Sequence, residues 1–120
     1  MGILSLVQAV AHKSFSPGAN SIPLTTIWTS LSNSIFRVTG VVRPIPPDTG
    51  SFSVYVYAQW IDDTGVLRTQ NIGSSNPNGY SQMAAGLVPA GHPIQIYTVY
   101  GGTQTYMLDV TVENISDSLL

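Results

Sequence analysis

Ser51-Phe52-Ser53-Val54-Tyr55-Val56-Tyr57-Ala58-Gln59-Trp60-Ile61-Asp62-Asp63-Thr64-Gly65 is the stretch whose residues come nearest to dictating their own local structure. A strand sends successive side chains to opposite faces, so Phe52, Val54, Val56, Ala58 and Trp60 line one side while Ser53, Tyr55, Tyr57 and Gln59 line the other. One face is greasy and the other is wettable, the mark of a half-buried strand. Asp62-Asp63-Thr64-Gly65 then stops it, because Asp side chains bond back to turn amides and Gly supplies the positive φ of a hairpin. The next strand, Val66 to Ile72, is expected to return antiparallel beside it.

Working outward, Ser34 to Arg43 is a second strand, with Phe36, Val38, Gly40 and Val42 on one side, Ile35, Arg37, Thr39 and Val41 on the other, and Gly40 marking a bend or a close backbone approach. Pro44 to Gly50 holds three prolines and reads as a stiff loop, and Gly73 to Gly79 reads as a surface loop. Tyr80 to Val88 would tolerate a helix through its Ala and Met, but Gly86 and the flanking pattern favour a strand with Met83, Ala85 and Leu87 inward. Pro89 to Pro93 is a tight turn. Ile94 to Tyr100 and Thr103 to Ile115 are expected to form a hairpin across Gly101-Gly102, with Tyr106, Leu108, Val110 and Val112 as its inner face. Towards the N-terminus, Ile22 to Ser30 is a Thr-rich β segment anchored by Trp28, and His12 to Asn20 is a loop by its Pro-Gly and Asn content. Residues 3 to 11 form a short strand or arm that is apolar on both sides and so needs cover on both.

Seven or eight short strands with regular turn signals and no convincing helix imply an all-β fold, an antiparallel two-sheet β-sandwich of jelly-roll type. The expected organisation is an apolar arm over residues 1–14, a sandwich domain over 15–116 and a tail over 117–120. A chain of 120 residues is one domain by size and can bury its own core.

Composition excludes several functions. Only 8% of residues are charged, against roughly 25% in typical soluble proteins, and four Lys and Arg cannot assemble a phosphate-tracking patch, so no nucleic acid is expected as a partner. The absence of cysteine removes disulfides, thiolate metal sites and thiol nucleophiles. The N-terminal segment lacks a basic leader and is broken by Ser5 and Gln8, Leu6 stands where myristoylation wants Ser or Thr, and no run reaches membrane-spanning length, so neither a signal peptide nor a membrane role is expected.

Catalysis needs a Ser or Thr, a His and a carboxylate brought together, and His12 and His92 both sit in turn-like stretches, so no enzyme activity is expected. Asp62 and Asp63 could be read as a calcium site, but their neighbours are Thr64 and Gly65 and a hairpin turn is the better account; no metal or cofactor is expected. Asp48, Asp109, Glu113 and Asp117 read as solvated faces. Asn114-Ile115-Ser116 matches a glycosylation sequon of little weight. Six tyrosines and two tryptophans invite a sugar-stacking reading, while Tyr is also enriched in interface cores, which favours a contact with a second chain. The candidate interface or ligand surface is Leu4, Leu6, Val10, Trp28, Tyr55, Tyr57, Gln59 and Tyr80.

Ile35 to Val42 resembles the Tyr-Arg-Val-Ser strand common in small phage virion β-domains, and Ala58 to Gly65 resembles their strand with an acidic-Gly hairpin. Ala90 to Ile96 and Thr105 to Ile115 resemble their last hairpin, and also that of trimeric jelly-roll heads of complement and tumour-necrosis-factor type. The resemblance covers residues 34 to 115. It implies a non-enzymatic, trimeric homo-oligomer in a virion, a knob that contacts other virion proteins and cements a shell or binds a host surface glycan. The short arm in place of a stalk favours a capsid decoration or tail-baseplate component over a tail-fibre tip. The alternative is a carbohydrate-binding or host-receptor-binding module that uses Tyr55, Tyr57, Trp28 or the 76–80 loop.

Overall fold

The computed structural model describes residues 8–45, 52–74 and 80–115, with backbone alone at 8, 52 and 80–83. Eight strands are present: β1 (Gln8–Gly18), β2 (Thr25–Thr29), β3 (Ser34–Pro44), β4 (Phe52–Ile61), β5 (Leu67–Ser74), β6 (Tyr80–Val88), β7 (Pro93–Gly102) and β8 (Tyr106–Asn114). They form two antiparallel sheets, β1-β8-β3-β6 and β5-β4-β7-β2, joined where Gly73 and Ser74 of β5 meet Ser81 and Tyr80 of β6. Apart from the β4–β5 hairpin and that short β5–β6 junction, every connection crosses from one sheet to the other. This is the two-Greek-key order of a jelly roll.

The inner faces follow the alternation of apolar residues. Phe36, Val38 and Val42 of β3, Val54, Val56, Ala58 and Trp60 of β4, and Tyr106, Leu108, Val110 and Val112 of β8 are all buried, together with Ile94 and Ile96 of β7. Each such side chain removed from water contributes about 1.5–3 kcal/mol before the entropy of ordering is subtracted. Trp60 fills the space between the sheets. Its ring meets Phe36 edge-on at 5.0 Å, and a Cβ on Gly86 would lie 2.9 Å from its Cζ2. Gly40 plays the same part opposite Ile72, whose Cδ1 would stand 3.1 Å from an added Cβ, so it marks a close approach.

Four expectations are corrected. The stretch from His12 to Asn20 is not a loop throughout: β1 continues to Gly18 beside β8. The bulge between Phe15 and Gly18 lets the Pro-Gly end remain in the strand. In β6 the inward residues are Ala84, Gly86 and Val88, whereas Ala85 and Leu87 face outward. Trp60 supplies the volume there, so the facing row must be small. Gly101 and Gly102 are not a hairpin turn; they belong to β7, opposite Ser53 and Phe52 of β4, and the chain crosses to β8 afterwards. Tyr106 decides this. Its ring stacks on Tyr100 at 5.1 Å and its hydroxyl lies 2.9 Å from Thr98 Oγ1, and because β7 pairs with β4 and β2 while β8 pairs with β1 and β3, these contacts run between the sheets. Finally, Asp109 and Glu113 are ion-paired and not simply solvated.

The Asp62–Gly65 hairpin forms as expected, with Gly65 at φ 82°. Expectations at Leu4, Leu6, Asp48, Asp117 and the 75–79 loop, and for the side chains of Phe52, Tyr80, Ser81 and Met83, fall outside the described residues.

Candidate functional site

The outer face of β5-β4-β7-β2 is built from the residues that alternate with the core rows. Antiparallel register sets Tyr55 opposite Val99, Tyr57 opposite Tyr97 and Gln59 opposite Gln95. On the β5 side Tyr57 faces Asn71 and Gln59 faces Thr69, and on the β2 side Gln95 faces Thr26. Directly opposed side chains on one face of a sheet are close enough to interact. The Tyr57 and Tyr97 rings accordingly stack, centroids 5.1 Å apart and planes 21° apart. Tyr55 at 42% and Val99 at 52% exposure extend this aromatic centre towards one end, and Ile61 beside Leu67 closes the other.

What distinguishes this face is how little of its polar capacity is used. Gln95 reaches Thr26 Oγ1 through Nε2 at 3.3 Å, and Asn71 Oδ1 accepts from the Gly73 amide at 3.0 Å. The hydroxyls of Tyr55, Tyr57, Tyr97 and Thr69 and the amide of Gln59 have no partner among the described residues. An amide offers both donors and acceptors and a phenol offers one of each, so the row can meet hydroxyl groups of either polarity.

The outer face of β1-β8-β3-β6 is arranged otherwise. Arg37 Nε donates to Glu113 Oε1 at 2.7 Å, Arg43 pairs with Asp109, Ser14 donates to Asp109 Oδ1 at 2.5 Å, and His12 Nδ1 lies 3.0 Å from Thr111 Oγ1. The Ser14 hydroxyl, then Arg43, hold the Asp109 carboxyl below the usual carboxylate range. These polar groups are committed to one another.

Asp62 is a structural residue. Its oxygens accept from Thr64 Oγ1 (2.7 Å), the Thr64 amide (2.9 Å), the Val66 amide (3.0 Å) and Arg68 Nε (2.7 Å). The Thr64 hydroxyl first, then Arg68 and the Val66 amide, press its carboxyl far below the ordinary range. With those bonds made, it fastens the β4–β5 turn. Among the described residues no group of three His, Cys, Asp or Glu side chains is placed to hold a metal ion.

Of the residues singled out in the sequence, Tyr55, Tyr57 and Gln59 stand together on the second sheet's outer face. Trp28 does not join them. A bulge after Thr26 turns it to the side of Ile94, where it packs against the core. Val10 also packs against the core from β1. The residues missed were Tyr97, Gln95 and Asn71. The alternation Ile94-Gln95-Ile96-Tyr97-Thr98-Val99 already marks Gln95 and Tyr97 as outward, but nothing local says that β7 lies beside β4. A concavity of about 390 Å³ lies elsewhere, at the β1–β2 connection, walled by Phe15, Pro17, Ile22 and Pro23. Two of its hydroxyls are already committed, Ser21 Oγ to the Tyr100 amide and Thr25 Oγ1 to the Pro23 carbonyl. His92 sits at the β6–β7 turn with Nδ1 buried and unpartnered, and makes no hydrogen bond to a serine hydroxyl or carboxylate among the described residues.

No protein-family model and no curated protein sequence matches the chain. Among solved structures it is similar to the CBM22-1 xylan-binding domain of Paenibacillus barcinonensis Xyn10C, at 12% identity over 92% of this chain and 86% of that one, with a TM-score of 0.38. It is also similar to a xylan-binding domain from CBM 22, formerly the x6b domain, at 14% identity over 96% and 90%, TM-score 0.33. A third is the C-terminal family 22 carbohydrate binding module of Clostridium thermocellum Xyn10B, at 13% identity over 99% and 92%, TM-score 0.33. At these values the likeness is of all-β architecture alone.

Proposed function

We propose that the protein is a non-enzymatic binding module that holds carbohydrate on the outer face of β5-β4-β7-β2. One observation carries this reading: a stacked tyrosine pair lies among amides and hydroxyls that the fold leaves unspent, on a face without charge. A sugar ring has an apolar C–H face and a rim of hydroxyls. Aromatic surface covers the first, and amides and phenols exchange their water bonds for the second. Glycan-array screening followed by titration tests it. Tyr57→Ala, Tyr97→Ala and Gln59→Ala should each weaken binding by at least about tenfold, ~1.4 kcal/mol, with an unchanged far-ultraviolet spectrum. A blank array would sink the reading.

A second reading, a self-associating structural subunit such as a capsid decoration or tail-baseplate protein of a virion, is favoured by a different observation. β6 is nine residues long with no charge, proline or bulge, and among the described residues its 82–88 stretch has a strand on one side only. By contrast β1 carries Lys13 and two bulges, and β2 has only five residues and a bulge. Unprotected edges recruit strands. Light scattering on the full chain at micromolar concentration should then return a trimer, and a monomeric mass would count against it.

A further inference from the structure

The six acids, four Lys and Arg and two His of this chain are few enough to be placed almost individually. Every basic side chain is elsewhere than the tyrosine face. Arg37 and Arg43 are paired with Glu113 and Asp109 on the opposite sheet. Arg68 stands opposite Trp60, on the core side of the register, with Nε on Asp62. Lys13 and His12 belong to β1, opposite Val110 and Thr111, and His92 to the β6–β7 turn. Among the described acids, Asp62 and Asp63 are in the β4–β5 turn and Asp109 and Glu113 on the other sheet. Among the described residues the tyrosine face therefore presents Tyr55, Tyr57, Gln59, Asn71, Gln95 and Tyr97 and no Asp, Glu, Lys, Arg or His side chain.

From this, and resting on the carbohydrate reading above, we infer that the ligand is an uncharged glycan and that its binding is indifferent to salt and pH. A uronate or sulfate brought onto this face would lose part of its hydration with no cation to replace it, which is unfavourable however well the ring stacks. Neutral hydroxyls exchange water for amides and phenols at little net cost. Salt screens only charge–charge interaction, so an uncharged contact has nothing to screen. Between about pH 5 and 8 the side chain that ordinarily changes charge is histidine, and neither histidine is on this face.

Affinity electrophoresis and calorimetry with a neutral glucan and a neutral mannan, set beside polygalacturonate and dextran sulfate, test this on the full chain. Neutral polymer should bind with an affinity constant to within about twofold from low to high salt and across that pH range, and the acidic polymers should not compete. Tyr57→Ala and, as a milder variant, Gln59→Ala should lose the neutral ligand while keeping the wild-type melting profile. Acidic polymer bound in a salt-sensitive way, or neutral polymer whose affinity falls with salt, overturns the inference and leaves carbohydrate binding standing. No binding to any of the four overturns the carbohydrate reading, and the inference with it.

Discussion

The two outer faces of this sandwich are made by the same alternation and yet end in opposite chemical states. On β1-β8-β3-β6 the outward residues include two arginines, two acids, a serine and a histidine, and each has found a partner on the same face. On β5-β4-β7-β2 they are tyrosines, glutamines, asparagine and threonines, and among the described residues the polar groups of Tyr55, Tyr57, Gln59, Thr69 and Tyr97 are unspent. A polar group already bonded within the fold must break that bond before it can hold a ligand, whereas a solvated one gives up only water. The charged face is thus a solubilising surface. The tyrosine face gives up only water when its groups bond elsewhere.

Three perturbations break or sharpen this contrast. The largest is Trp60→Ala, which removes the body that keeps the two sheets, and so both faces, back to back. A loss of about 3–5 kcal/mol in urea unfolding is expected, and a smaller cost would mean the sheets close over the cavity. Next is Gly86→Val, which forces a side chain against Trp60 from the first sheet. It should cost about 1–3 kcal/mol, read the same way, while ligand affinity on the remote tyrosine face is retained. The smallest concerns acid. Asp62 and Asp109 both have carboxyls depressed in the folded protein, so what they contribute to stability is fully present above the ordinary Asp value of about 3.9. It is lost as pH falls below that towards the folded-state values. Thermal unfolding followed down through this range should show the melting temperature falling, and Asp109→Asn should make the fall shallower. A variant with an unaltered profile would mean the Ser14–Asp109–Arg43 group contributes nothing.

Much of the architecture could be read from local pattern. β3, β4 and β8 each carry apolar residues at every second position, and their inward rows are those the alternation indicates. The β4–β5 hairpin was equally plain, because Asp62 and Gly65 carry the turn chemistry within the turn itself. Half of the candidate surface was visible in the same way, as Tyr55, Tyr57 and Gln59. The phase of β6 was not, since Met83, Ala85 and Leu87 are the greasier row and only Trp60, on another strand, makes Ala84, Gly86 and Val88 the inner one. The separation of β7 from β8 was hidden for a related reason. A Gly-Gly pair between two strands looks like a hairpin until Tyr106 is seen to stack on Tyr100 across the core.

By itself, then, the sequence determined that the chain is all-β, where most strands lie, which way the strongly alternating ones face, and that only four basic side chains are present. These are properties of neighbours two to four residues apart or of totals. The tertiary structure alone decided which strand lies beside which. That choice set Tyr97 against Tyr57 and Gln95 against Gln59, turned Trp28 against the core and left one face without a charged side chain among the described residues. Strand order is settled by which inner rows fill the space between two sheets together, and that fit between residues distant in sequence is written in no single stretch of it.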